Sequence, residues 1–190
     1  MAVGDHGLTL MSSITLTSVA SWFSFYNLWD GDYEGLYCTA NIKVVETTSS
    51  SIQIMMPGQY TVNALIVNFQ GINNNAIQAQ RWTTNYGGIQ QSRIWQTATS
   101  PSGQGAATIG LEFWIQNRKL GGVSKNCIFH GGSGEGVTNT DNKYVWTQGA
   151  ISSRDTTHIN NIDLKVTNTS NTLIDAQIGS TVQLYGIRKS

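Results

Sequence analysis

The sequence predicts an all-β protein, a sandwich or a barrel, and three observations carry that expectation. Apolar residues recur with a period of two along most of the chain, helical spacing is absent, and clusters of turn formers separate the alternating runs. Successive side chains on a strand point to opposite faces, so such a pattern describes strands with one buried and one wet face.

The elements follow in order. Ile14 and Leu16 open the alternation. Val19–Trp29 is the only stretch where a short helix is admissible, and it lacks a clear 3.6 period. Leu36, Cys38, Ala40, Ile42 and Val44 then alternate with Tyr37, Thr39, Asn41 and Lys43, the plainest strand in the chain. Leu65/Val67/Phe69, Ile109/Leu111/Phe113/Ile115, Ile162/Leu164/Val166 and Val182/Leu184 repeat the pattern. Shorter candidates are Ser51–Met56, Ile77–Trp82, Ile89–Thr97, Lys125–Phe129, Lys143–Gln148 and Leu173–Ile178. Between them, clusters such as Asn73–Asn75, Ser100–Gly105 and Gly131–Gly136 read as turns. None is long enough for an interdomain linker. One domain, residues 11–190, is expected, preceded by a separate N-terminal arm, residues 1–10. The arm's apolar members Val3, Leu8 and Leu10 need a partner surface to be buried, which points to attachment.

Composition narrows the function. A chain of 190 residues can bury roughly 70% of its unfolded surface and needs neither metal nor disulfide to fold. Charged residues are 12% of the chain, against about 25% in an average protein. Eleven basic and eleven acidic side chains cancel, so the surface is neutral and hydrogen-bonding. Nucleic acid is excluded as a partner, because gripping phosphate needs a basic excess. No apolar run approaches a membrane span, and Met1–His6 has neither the basic region nor the apolar core of a secretion signal. Synthesis in a cytoplasm is expected. Cys38 and Cys127 both sit in apolar contexts and read as buried thiols rather than a disulfide.

Motifs for chemistry are weak. His6, His130 and His158 have no metal-ligand spacing and read as solvated or capping. Asp30-Gly31-Asp32-Tyr33-Glu34-Gly35 imitates the start of a calcium loop, but Asn41 stands where the bidentate Glu would be, and a polar turn is the better reading. Ser133, in His130-Gly131-Gly132-Ser133-Gly134-Glu135, lacks the fifth-position Gly of a nucleophile elbow, and a flexible glycine loop is expected. No catalytic residue, cofactor or metal follows, and the chain reads as a non-enzyme. Trp22, Trp29, Trp82, Trp95, Trp114 and Trp146 are numerous for this length. They read as core or subunit-contact residues, with stacking on sugar rings as the functional alternative.

The last thirty-odd residues carry the most specific pattern. A strand at Ile159–Val166 is followed by Gly179-Ser180-Thr181-Val182-Gln183-Leu184-Tyr185-Gly186-Ile187-Arg188. This ending resembles that of a group of bacteriophage virion proteins whose jelly-roll-like domains close in Gly-Ser-x-x-x-Leu-Tyr-Gly-Ile. The resemblance extends as a pattern over residues 13–188, with Asp32-Tyr33 and Leu36–Val44 as the group's early strand, and it is sharp only at Gly179–Arg188. It implies a jelly-roll-like antiparallel β-sandwich in a phage particle, assembled as a homotrimer. A compact domain without a fibrous shaft suits a capsid decoration (cement) protein that clamps the major capsid protein on the outside of the head. The alternative is a tail or head-fibre receptor-binding module for host surface glycan. In the closing strand Val182 and Leu184 should point into the core. Tyr185 breaks the alternation beside Gly186, suggesting a bulge or a close backbone approach, and Tyr185 and Ile187 are expected against the core or a neighbouring subunit.

Overall fold

In the computed structural model the described residues are 7–28, 33–45, 50–55, 61–72, 76–87, 92–95, 106–116, 125–135, 143–153, 158–168 and 172–188. Among them there are twelve strands and no helix. In chain order these are β1 (Leu8–Thr15), β2 (Trp22–Phe25), β3 (Tyr33–Val45), β4 (Ser50–Met55), β5 (Thr61–Ile72) and β6 (Ala76–Gly87). They continue as β7 (Ser92–Trp95), β8 (Ala106–Gln116), β9 (Lys125–Glu135), β10 (Lys143–Ser153), β11 (Ile162–Asn168) and β12 (Thr181–Arg188). The segment Val19–Trp29, where a helix was admissible, holds strand β2, and Leu173–Ile178 contributes only isolated bridges at Leu173 and Ala176.

Two antiparallel sheets result, an eight-stranded one in the order β1-β12-β3-β8-β9-β10-β5-β6 and a four-stranded one in the order β2-β11-β4-β7. The pairings nest: β1 with β12, β2 with β11, β3 with β8, β4 with β7. A long hairpin rolled into two sheets has this order, so the fold is a jelly-roll β-sandwich. The hairpin β5–β6 and the pair β9–β10 are additions that widen the large sheet.

The period-two pattern sets the core. Leu36, Cys38, Ile42 and Val44 of β3, Ile109, Phe113 and Ile115 of β8, and Val182 and Leu184 of β12 face inward from the large sheet. Phe23 and Phe25, Ile52 and Ile54, and Ile162, Leu164 and Val166 face them from the small sheet. All belong to one apolar cluster, as a sandwich closed by two inner faces requires.

Each unusual residue of the closing motif has a physical role. Gly179 takes a positive φ of 82°, a conformation that favours glycine, and turns the chain into β12. Ser180 is fully buried, and its hydroxyl donates to the Gln177 carbonyl (2.7 Å) while accepting from the Lys43 amide (3.0 Å). The same turn is tied to Leu16 in both directions, at 2.9 Å each way. Further along, the Tyr33 ring lies where a Cβ on Gly186 would be. The register skips Glu34 here, pairing Ile187 with Gly35 and Arg188 with Tyr33, and this bulge turns Tyr33 toward Gly186. The expected close approach is therefore a ring on a glycine. Tyr185 does not break the alternation. It stands on the outer face, as does Ile187, while Val182 and Leu184 are buried.

Two further expectations are corrected. Leu8, Thr9 and Leu10, expected in the separate arm of residues 1–10, instead pair with Ile187, Gly186 and Tyr185 as part of β1. Alternation alone missed this, because Met11 is an extra residue in the ladder and reverses the phase. Leu8 and Leu10 face outward, while Ile14 and Leu16, of the same parity, pack against the core. Residues 1–6, with Val3, lie outside the described residues. The glycine run Gly131–Gly134 is not a loop but lies within β9. A Cβ on Gly131 would come within 2.6 Å of the Gly110 carbonyl, so glycine serves close strand approach there.

Cys38 and Cys127 are buried, free thiols. They stand on β3 and β9, with β8 between them, and second-neighbour strands are about 9–10 Å apart, beyond the reach of a disulfide. Burial pushes both thiols up, and each adds native stability that is intact below the unfolded thiol range near 8.5 and drains away above it. Above that pH stability should fall by up to about 1.4 kcal/mol per pH unit for each thiol. Cys127→Ala should remove about half of that slope in urea unfolding at stepped alkaline pH.

The Tyr33–Gly186 contact supplies a second prediction. Gly186→Ala should destabilise the wild-type background by about 1–3 kcal/mol through overpacking. In a Tyr33→Ala background the same change should cost almost nothing, a coupling that a double-mutant unfolding cycle measures.

Candidate functional site

The outer face of the large sheet is built by register. Because alternate residues share a face, one residue from each strand lines up in rows across it. One row runs Leu10, Tyr185, Tyr37, Trp114, Ile128, Ala150 over β1, β12, β3, β8, β9 and β10. The next runs Ser13, Gln183, Thr39, Glu112, His130, Gln148. An apolar row thus lies beside a polar one on a face that sequence patterning would leave wholly wet.

Aromatic contacts cross the strands. Trp114 stacks on Tyr37 at 4.9 Å with an interplanar angle of 29°, and approaches His130 at 5.2 Å and 33°. Tyr185 adds a tilted contact to Tyr37 at 5.8 Å, and its hydroxyl donates to Gln183 Oε1 at 3.0 Å. Such cross-strand pairs stabilise the sheet by about 0.5–1.5 kcal/mol each beyond area burial. Trp114 spends its neighbours on Tyr37 and His130, so this row is a ladder of rings rather than an open stacking platform.

Glu112 joins the ladder to the polar row. Its Oε2 faces His130 Nε2 at 3.2 Å, and its charge acts on the neighbouring Tyr37 phenol. Burial, and after it the charge of Glu112, pushes the Tyr37 phenol up. Glu112 and His130 are almost half exposed, so their pair adds little stability and its effect is positional. One step further along the sheet Gly110 faces Gly132. With no side chain on either, the face sinks into a hollow of about 260 Å³ rimmed by Thr39, Glu112 and His130.

A second surface lies at the free edge of β1. Leu8 and Leu10 are 50% and 52% exposed there, and among the described residues no strand pairs with the outer side of β1. Beside the Met11 bulge, a cleft of about 430 Å³ opens between β1 and β2, lined by Ser12, Ser24, Phe25, Tyr26, Asn27 and Tyr33 among others. Tyr26 is exposed, and Asn27 takes a positive φ of 57°.

Among the described residues no group of three or more His, Cys, Asp or Glu side chains is placed to hold a metal ion. Ser133 stands in mid-strand opposite Ile109 and Val145. Asp30 and Asp32 lie outside the described residues, as do Trp29 and the side chains of Trp82, Trp95 and Trp146. Trp22 lies at the small sheet's edge with Lys165 Nζ 4.0 Å above its ring. Of the residues singled out in the sequence, the outer face gathers Tyr185, Ile187, Trp114 and His130, with Leu8 and Leu10 at its edge. It adds Tyr37, Glu112, Gly110 and Gly132, which sequence reasoning did not select. The available signal was aromatic residues in the polar phase: Tyr37 between Leu36 and Cys38, Trp114 between Phe113 and Ile115.

No protein-family model matches this chain, and no curated protein does. The surfaces are therefore interpreted from their own geometry and chemistry.

Removing the Glu112 charge should bring the Tyr37 ionisation midpoint down, while burial, the larger cause, keeps it above that of an ordinary phenol. Tyrosinate absorbance of Glu112→Gln against wild type checks this, with Tyr37→Phe to assign the transition.

Proposed function

We propose that this chain is a non-enzymatic virion structural protein of a bacteriophage that decorates the outside of the head and stabilises the shell. The observation that carries the reading is the pair Leu8 and Leu10, exposed on the edge of β1 with which no other strand pairs among the described residues. An apolar edge strand is a liability for a protein that stays alone in solution, and covering it is the usual remedy. The major capsid protein is the proposed cover. The closing Gly-Ser-x-x-x-Leu-Tyr-Gly-Ile strand, which resembles that of phage virion proteins, supports the same reading, as does a jelly-roll architecture that also serves capsid domains. Fold alone does not decide function, so the weight rests on the edge.

Attachment follows from multivalency. A homotrimer touching several capsid subunits makes each later contact intramolecular, so modest apolar contacts sum to stable binding. Binding to the intact shell and not to its ruptured state stabilises the shell, as a ligand stabilises a fold. A neutral surface gives contacts that depend little on salt.

Purified protein mixed with heads lacking it should bind saturably, at a copy number that matches the shell lattice, and should raise the temperature at which heads release DNA. Leu8→Asp with Leu10→Asp should weaken that binding at least about tenfold, since two apolar side chains lose burial worth about 1.5–3 kcal/mol each. The melting temperature of the free protein should stay close to wild type. Undiminished binding by the double variant, or no binding of wild type to heads, would overturn the proposal.

A further inference from the structure

The hollow over Gly110 and Gly132 lies in mid-sheet on β8 and β9, away from the β1 edge that the attachment reading uses. Side chains stand two residues back on both strands, at Glu112 and His130. At Gly110 and Gly132, directly opposed, there are none, and the floor of the hollow is main chain. The rim supplies a Thr39 hydroxyl, the Glu112 carboxylate and the His130 imidazole.

Glu112 is a prepared acceptor. A carboxylate offers about four hydrogen-bonding positions, and His130 takes one of them. That contact orients the carboxylate, which reduces the ordering a ligand must impose. The complementary ligand donates hydrogen bonds in pairs, accepts one from the Thr39 hydroxyl, and carries no negative charge, which Glu112 would repel. At about 260 Å³ the hollow is below the usual range for drug-sized molecules, about 300–1,000 Å³, and suits one small ring. Adjacent hydroxyls of a sugar meet each of these requirements. The ring ladder bounds the site on the Trp114 side without offering an open ring face, so recognition runs through hydroxyls.

We propose that the Gly110–Gly132 hollow is a subsite for a neutral saccharide, with Glu112 as the principal hydroxyl acceptor and Thr39 and His130 completing it. This goes beyond the attachment reading and does not rest on it.

Gly110→Leu is a clean probe. Among the described residues a Cβ at Gly110 meets only the Gly132 carbonyl at 3.7 Å, an ordinary contact, so a side chain can start there without displacing that backbone. Saturation-transfer NMR on the full chain would use the methyl glycosides of glucose, galactose, mannose and N-acetylglucosamine. At least one should show transfer with wild type. Gly110→Leu should abolish it, and Glu112→Gln, which keeps shape but loses charge, should weaken it at least about tenfold. Leu8→Asp, at the edge, should leave it unchanged, which separates this test from that of head binding. Transfer to none of the four glycosides overturns the proposal, as does undiminished transfer with Gly110→Leu. Displacement of a bound glycoside by lysine methyl ester, but not by a second glycoside, would also overturn it, since the hollow would then be a cation site. If Gly110→Leu fails to melt cooperatively, the isosteric Glu112→Gln decides alone.

Discussion

The pairing of β12 between β1 and β3 is the constraint on which the rest of the fold depends. It joins the two most distant segments of the roll and lays the outermost of its four nested pairs beside β3. Leu184 and Val182 supply its core side, and Gly179 and Ser180 supply its entry, with hydrogen bonds to Leu16, Lys43 and Gln177. One turn thereby fixes three strands. A closure over so many residues carries a large loop entropy, so it needs specific contacts to compete with slipped registers. The Tyr33 ring on Gly186 is such a contact, because a one-residue slip of β12 would put the Tyr185 or Ile187 side chain under that ring.

The strands were legible where one face is buried and the other wet. Leu36–Val44 and Ile109–Ile115 alternate because β3 and β8 lie inside the roll, covered on one side by the small sheet. The pattern failed where register departs from simple counting. At Met11 one extra residue reverses the phase of β1, so Leu8 and Leu10 have the parity of core residues and the position of surface ones. In β9 Gly131, part of a run that looks like a loop, is set by the approach of a neighbouring backbone, a tertiary demand that local propensity does not record. Leu173–Ile178 has strand composition, yet it crosses between the sheets and makes only bridges to Thr167, Ala20 and Val44.

The candidate site was less legible, for the same reason at larger scale. Glu112, His130 and Tyr37 are unremarkable in their own strands. They become a unit only because β3, β8 and β9, from three separated stretches, set Tyr37 beside Trp114 and Glu112 beside His130. Tyr37 and Trp114 did leave a trace, as large aromatic residues in the wet phase. Gly110 and Gly132 left none, since the hollow exists only when two absences of side chain face each other.

The two surfaces divide by chemistry in a way that lets them act together. The β1 edge exposes Leu8 and Leu10, and among the described residues its outer backbone is unpaired. Both features favour a permanent, water-excluding contact. The hollow has a polar rim, is shallow and lies in mid-sheet, where a partner held at the edge does not have to cover it. Between them lie Gln183, which accepts from the Tyr185 hydroxyl, and the Tyr185–Tyr37 ring contact, both made within the chain. A subunit fixed to a lattice by its edge would present the hollow many times over. Weak hydroxyl recognition at a single subsite would then gain from multivalency what it lacks in depth, by the same arithmetic as the proposed attachment.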